Sequence, residues 1–208
     1  MVMRRRSVSS SRWLYNHYND QYVQQVFQKQ LRSRSWFKLA SLQCSDNFLR
    51  PGIAVIDLGS SPGGWSQYIV NKVRNIRVVA CDILPMHPIK GVNFLQGDIS
   101  ENKVLNFLFN LLNNKKVQVI LSDMSPNISG KAEIDIPKSI SLGELVVDIC
   151  RNVLEINGVL VVKVFQGEGF DRYLCHIRTL FTEVKVRKPH ASCVNSREVY
   201  IVAKGYKL

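Results

Sequence analysis

The chain has few residues of the kinds that build disulfides or metal centres. It contains only four histidines. Its cysteines are odd in number, and no two form a C-x-x-C pair: Cys44, Cys81, Cys150, Cys175 and Cys193. Such a set argues against a disulfide framework and against a zinc site, and it is typical of a reducing compartment. We therefore expect a cytoplasmic protein without metal.

Long apolar runs are also missing. No run approaches the length that a membrane-spanning helix needs, so we expect no membrane association. The start of the chain, MVMRRRSVSSSRW, is basic and rich in serine, but it lacks the apolar core of a secretory signal. Its composition also suits a mitochondrial transit peptide. Because no break in composition follows it, we favour a basic RNA-binding arm over that alternative.

Acidic residues are scarce in comparison with basic ones. The 16 acidic residues face 28 basic ones, which gives a formal net charge of +12. On a small domain such an excess usually indicates a polyanionic partner, most often nucleic acid, although basicity also serves solubility. Arginines contact phosphates, and unpaired bases stack on aromatic rings. We expect an RNA-binding arm and helix over residues 1–34, with these arginines: Arg4, Arg5, Arg6, Arg12, Arg32 and Arg34.

Two common nucleotide-binding motifs are absent from the stretch DLGSSPGGWSQ, residues 57–67. A dinucleotide site needs G-x-G-x-x-G, but Ser61 stands where its second glycine would let a pyrophosphate approach the backbone. A Walker loop is excluded as well, since no Lys-Ser/Thr pair follows Gly64. What remains is a glycine-rich turn suited to a ligand without phosphates.

The segments that are present alternate between strands and helices. This order predicts one α/β domain over residues 1–208, with a doubly wound, Rossmann-like, mostly parallel sheet of seven strands. The last two strands are joined only by a loop, so one of them should run antiparallel. We predict strands over 53–58, 76–82, 92–96, 117–122, 158–165, 184–188 and 198–203. We predict helices over 13–30, 35–48, 62–73, 103–112, 138–154 and 169–180.

Four aspartates end the first four predicted strands: Asp57, Asp82, Asp98 and Asp123. Ligands of doubly wound sheets lie outside these strand ends. Each acid alone is more typical of a helix cap or loop, but the set favours a nucleoside that carries positive charge. S-adenosylmethionine has a sulfonium and an ammonium and no phosphate. We expect Asp82 to accept hydrogen bonds from ribose hydroxyls and Asp98 to receive the adenine amino group.

Lys163 stands alone in the apolar strand GVLVVKVF. An unpaired ammonium in a central strand is costly, so this lysine must be neutral, paired, or directed into a cleft. The alternative is an edge lysine whose head reaches solvent. Asp123 ends the neighbouring strand, and Glu198 reaches the same rim if the last strand runs antiparallel. Lys38 is a further candidate, although by itself it looks like an exposed helix charge.

These stretches resemble the FtsJ/RlmE family of ribose 2′-O-methyltransferases. The resemblance covers nearly the whole chain and rests on DLGSSPGGWSQ (57–67), SDMSPN (122–127), VVKVFQGEG (161–169) and RKP with SREVY (187–200). Two stretches before the first strand, SSSRWL (9–14) and LRSRSWFKL (31–39), add to it. The resemblance implies a monomer that uses S-adenosylmethionine without metal to methylate a uridine of 23S ribosomal RNA, with the large ribosomal subunit as partner.

The same resemblance implies the site residues. The catalytic set falls on Lys38, Asp123, Lys163 and Glu198. We assign Lys163 as proton acceptor and Lys38 as the group that positions the substrate. The contacts to the methyl donor fall on Gly63, Trp65, Asp82, Asp98 and Asp123.

Two other functions stay open at this point. One is a non-catalytic RNA-binding or ribosome-assembly protein on the same fold, which the intact catalytic set argues against. The other is a nucleotide-dependent oxidoreductase, which the broken glycine pattern disfavours.

Overall fold

The computed structural model describes residues 21–113, 115–193 and 195–208, so residues 1–20 of the predicted RNA-binding arm and helix over 1–34 lie outside the described part. Its helices are α1 (Gln21–Gln28), α2 (Ser35–Asp46), α3 (Gly64–Lys72), α4 (Asn102–Leu111), α5 (Ala132–Val153) and α6 (Phe170–Leu180). Its strands are β1 (Ala54–Leu58), β2 (Arg77–Asp82), β3 (Val92–Gln96), β4 (Val117–Ser122), β5 (Leu154–Phe165), β6 (Phe181–Arg187) and β7 (Glu198–Tyr206).

All seven strands form one sheet in the order β3-β2-β1-β4-β5-β7-β6. Strands β1 to β5 pair in parallel, and β7 runs antiparallel to both β5 and β6. The predicted fold class is therefore confirmed, including the single antiparallel strand. The carboxyl ends of β1 to β4 and the amino end of β7 meet at the same edge of the sheet.

Four elements are longer than the sequence pattern predicts, among them β6, which begins at Phe181 instead of 184. Helix α5 begins at Ala132 instead of 138 and contains Pro137 in its second turn, where the proline removes one backbone donor. Strand β5 begins at Leu154 instead of 158, and β7 continues to Tyr206 instead of 203. Among the described residues, no helix combines the length and the apolarity that crossing a bilayer requires.

The sheet is covered on both faces by helices, each with its own apolar cluster. Helices α2 and α3 pack on one face, where Val161 of β5 points. Helices α4, α5 and α6 pack on the other face, where Val162 points. Because side chains alternate along a strand, Lys163 lies on the same face as Val161, beneath helix α2.

Helix α2 is attached to β6, the edge strand of the sheet, by an ion pair. Asp46, at the end of α2, is buried and accepts hydrogen bonds from Nε and Nη2 of Arg187, each at 2.9 Å. Lys204 donates to the Asp46 backbone carbonyl. The hydrogen bonds from Arg187 hold the pKa of the Asp46 carboxyl below its usual value. This pair fixes the helix that carries Lys38.

We predict that Asp46→Asn lowers the free energy of unfolding at pH 7 by about 1–2 kcal/mol, since Arg187 is partly exposed and the pair is partly screened. The folded-state pKa is lowered, so the stabilisation is present above the unfolded value near 3.9 and is lost as the pH falls below it. Urea unfolding at several pH values measures the difference between wild type and variant.

The exposed pair of Asp148 with Arg151 provides the control. Asp148→Asn should change the free energy of unfolding by less than about 0.5 kcal/mol, as surface pairs contribute little. Equal losses in the two variants, or a loss in Asp46→Asn that persists unchanged at pH 3, would contradict the assignment.

Candidate active site

A cavity of about 400 Å³ opens at the edge of the sheet where β1 to β4 end. Gly59 forms part of its wall and has φ +72°; a Cβ atom there would lie 2.7 Å from the backbone nitrogen of Met124. Only glycine fits this position without a shift of the backbone. A cavity of about 480 Å³ opens at the opposite edge, beside Ala54 and Arg77, and contains none of the predicted site residues.

Three of the strand-end acids line the cavity at the end of β1 to β4: Asp82, Asp98 and Asp123. The Asp82 carboxylate accepts hydrogen bonds from the backbone N–H groups of Ser61 and Leu84, both at 2.8 Å. One oxygen of Asp98 accepts from Ser100, at 2.9 Å from its N–H and 2.7 Å from its hydroxyl. These hydrogen bonds lower the Asp98 pKa, so that acid is anionic at neutral pH.

The fourth acid, Asp57, lies beneath the glycine-rich turn and not in the cavity wall. It is fully buried, and its Oδ2 accepts a 2.6 Å hydrogen bond from the Ser66 hydroxyl of α3. Its Oδ1 has no partner among the described residues. Burial raises the Asp57 pKa to about 7, the Ser66 hydrogen bond opposes this shift, and the charges of Asp123 and Asp82 add to it. Asp57 therefore joins β1 to α3 and supports the turn.

We predict that the Asp57 carboxyl makes folding pH-dependent. Asp57 releases its proton near pH 3.9 when unfolded and near pH 7 when folded, so the folded state holds one proton more between these values. Relative to Asp57→Asn, the wild-type free energy of unfolding should fall as the pH rises from 4 to 7, by at most about 1.4 kcal/mol per pH unit.

Chemical unfolding across this pH range provides the measurement. Asp171→Asn, at an exposed position on α6, is the matched control and should follow the wild type. A difference between wild type and Asp57→Asn that stays constant from pH 4 to 7 would contradict the raised pKa.

Lys163 is a buried, paired lysine. Its side chain is 7% exposed, and its Nζ lies 3.0 Å from Oδ1 of Asp123. The same ammonium donates to the Asp123 backbone carbonyl at 2.6 Å. Because β5 lies between β4 and β7 in the sheet, the edge-lysine alternative does not apply. Asp123 thus belongs both to the cavity wall and to an ion pair on the α2 face.

Lys38 and Glu198 form the second ion pair, between α2 and the first residue of β7. Lys38 Nζ lies 2.7 Å from Oε1 of Glu198, and the two side chains are 14% and 12% exposed. Lys38 is therefore not the exposed helix charge that its local sequence suggests. The antiparallel direction of β7 brings Glu198 to the edge of the sheet where β4 ends, as the sequence predicts.

Tyr200 connects the two ion pairs and is not among the residues predicted from the sequence. Its ring is fully buried, and its hydroxyl donates to Oδ1 of Asp123 at 2.8 Å. The Lys38 ammonium lies 5.7 Å from the ring centroid. Burial and the nearby Asp123 and Glu198 carboxylates raise the Tyr200 pKa. Its position two residues after Glu198, on the same face of the strand, is the signal that could have found it.

Two of the predicted donor contacts do not line the cavity. Trp65 is 2% exposed, and its indole N–H donates to the Ser35 carbonyl at 2.9 Å, so it packs α3 against α2. Gly63 has φ +108° and precedes α3; a Cβ atom there would lie 2.8 Å from Ile89 and 2.9 Å from Arg32. Trp65 and Gly63 thus pack the glycine-rich turn and the start of α3 against neighbouring segments.

The two predicted RNA contacts that the structure describes are both bound to carbonyl groups of the chain. Arg32 donates to the carbonyls of Pro62, His87 and Pro88, at 3.2, 2.5 and 2.7 Å. Arg34 donates to the carbonyl of Ala191. These hydrogen bonds attach the segment before α2 to three loops beside the site.

A doubly wound sheet with this strand order and a nucleoside-sized cavity at the ends of its parallel strands defines a Rossmann-like methyltransferase fold. The profile of the FtsJ-like methyltransferase family matches residues 31–206, and the chain belongs to this family. The chain is also similar to a crystal structure from Plasmodium falciparum, provisionally assigned as a ribosomal RNA methyltransferase. The two are 28% identical with a TM-score of 0.77, over 84% of this chain and 98% of that chain.

Proposed function

We propose that this protein transfers a methyl group from S-adenosylmethionine to the ribose 2′-oxygen of a uridine in large-subunit ribosomal RNA. The observation that carries the proposal is the position of Asp123, which lines the cavity and also holds the Lys163 ammonium. A donor in the cavity and a hydroxyl beside Lys163 would meet at this residue. Membership of the methyltransferase family and the likeness to the Plasmodium structure support the reaction class and an RNA substrate.

The residues of the cavity fit S-adenosylmethionine. Its volume of about 400 Å³ lies within the range of small-molecule sites. Met124, Leu142 and Leu145 provide apolar surface for a base, and we assign Asp82 to the ribose hydroxyls and Asp98 to the adenine amino group. Asp123 adds negative charge near a cationic ligand. When bound, S-adenosylmethionine supplies the methyl group that its sulfonium activates.

We predict that Asp82→Ala weakens binding of S-adenosylmethionine by about 1–3 kcal/mol, or roughly 5- to 150-fold, because it removes an acceptor from a polar ligand group. Isothermal titration calorimetry measures this affinity directly. Asp171→Ala removes the same charge on α6, away from the cavity, and should bind the donor like the wild type. Unchanged affinity in Asp82→Ala would remove Asp82 from the site.

The ion pairs supply the groups that the methyl transfer needs. A ribose hydroxyl is a weak nucleophile near neutral pH, so the site must orient it and accept its proton. We assign the proton to Nζ of Lys163, which can accept it only in the neutral form. Asp123, which accepts a hydrogen bond from the Tyr200 hydroxyl, fixes one side of this group. Lys38, held by Glu198, positions the nucleotide.

The proposal of RNA binding rests on the net charge of the chain and on its membership of the FtsJ-like methyltransferase family. The formal net charge of +12 favours a polyanionic substrate. We assign phosphate contacts to the basic segment 1–34, and we propose that the protein acts on the large ribosomal subunit as a monomer. Because Arg32 and Arg34 also hold loops beside the site, changing them would affect both the fold and the RNA.

We predict that Lys163→Ala lowers the single-turnover rate of methyl transfer to ribosomal RNA by about 10²–10⁴-fold, the usual effect of losing a general base. Lys163→Arg should fall as far, because a guanidinium stays protonated and cannot accept a proton. Donor affinity should stay close to the wild-type value in both variants.

Lys185→Ala, at an exposed position on β6, is the control and should keep the wild-type rate. A Lys163→Arg variant within a few-fold of the wild type would show that only positive charge matters there. A wild-type protein that binds RNA but transfers no methyl group would instead support the non-catalytic alternative.

A further inference from the structure

Glu198 has a second side-chain partner on the oxygen that binds Lys38. Ser192 is 5% exposed and lies in the loop between β6 and β7. Its hydroxyl donates to Oε1 of Glu198 at 2.8 Å, and Lys38 Nζ lies 2.7 Å from that same oxygen. Two donors from different parts of the chain therefore converge on one carboxylate oxygen.

The loop that carries Ser192 is held by Arg34 and by a hydrogen bond of its own backbone. The Ala191 carbonyl accepts a hydrogen bond from Arg34, which directly precedes helix α2. The Ser192 N–H donates to the Pro189 carbonyl at 2.9 Å. The backbone thus places the Ser192 hydroxyl against the carboxylate.

The hydroxyl restricts where Lys38 can lie. A lysine side chain has a flexible four-carbon stem and a point charge, so its position depends on the partner that holds it. A carboxylate that is held only by a flexible side chain can rotate about its Cγ–Cδ bond. A second donor that is fixed in position and bonded to the same oxygen prevents this rotation. Because the site is largely buried, each of these hydrogen bonds is stronger than it would be in water.

We propose that Ser192 is a positioning residue for methyl transfer: it fixes the Glu198 carboxylate and, through it, the Lys38 ammonium that orients the nucleotide. The inference rests on the proposed function and assigns a role outside the four residues of the catalytic set. Ser192 contacts neither the cavity for the donor nor the Lys163 pair among the described residues. Its removal should therefore affect transfer and not donor binding.

The test is single-turnover methylation of ribosomal RNA by Ser192→Ala, with donor affinity and thermal unfolding measured in parallel. We expect the rate to fall about 10- to 100-fold, because a small displacement of a positioning group costs this much, while donor affinity stays unchanged. Ser192→Cys keeps the size of the side chain but donates only weakly. It should lose rate similarly, and it serves if Ser192→Ala does not fold.

Ser196→Ala is the matched control, since this serine lies in the same loop but contacts the backbone of Glu198 and not its carboxylate. It should keep at least half of the wild-type rate. In a Glu198→Ala background, adding Ser192→Ala should lower the rate no further, because the group through which Ser192 acts is already gone.

Equal rate losses in Ser192→Ala and Ser196→Ala would show a general effect of the loop and overturn the inference. A further loss in the Glu198→Ala background would overturn it too. An active wild type with a fully active Ser192→Ala variant would refute this inference alone. A wild type without methyl transfer would refute the proposed function and this inference with it.

Discussion

Asp123 and Lys163 form the ion pair on which the arrangement of the site depends. An ammonium in a central strand is tolerable only with a close partner, and Asp123 offers Lys163 both a carboxylate oxygen and a backbone carbonyl. Asp123 is in turn held in place, because its N–H donates to the Leu58 carbonyl at the end of β1. The same residue lines the cavity. Asp123, directly after β4, therefore joins the cavity to the ion pair.

The other half of the site comes from outside the parallel strands and needs more support. Lys38 lies on α2, whose C-terminal end is attached to β6 by the buried Asp46 and whose start contacts Trp65 of α3. Glu198 lies on β7, next to a loop that Arg34 holds. These contacts join residues far apart in the chain. The Lys38–Glu198 pair therefore depends on the packing of the whole α2 face.

The sequence predicts the features that follow from local patterns. Alternation of segments gives the sheet and its antiparallel strand, and the lone Lys163 in an apolar strand indicates a partner at the end of β4. Contacts with loops distant in sequence leave no such pattern. Lys38 looks like a surface charge until β7 brings Glu198 beside it, and nothing in the local sequence of Arg32 indicates its carbonyl partners. Ser192 is found only from the fold of its loop.

The most direct test of this account is the position of the methyl group. Large ribosomal subunits from cells that lack this protein would be incubated with S-adenosylmethionine and either the wild type or Lys163→Ala, and ribose 2′-O-methylation of the RNA would then be mapped. We expect one new methylated ribose, on a uridine, with the wild type and none with the variant. Methylation on a base, or an equal pattern with both proteins, would contradict the account.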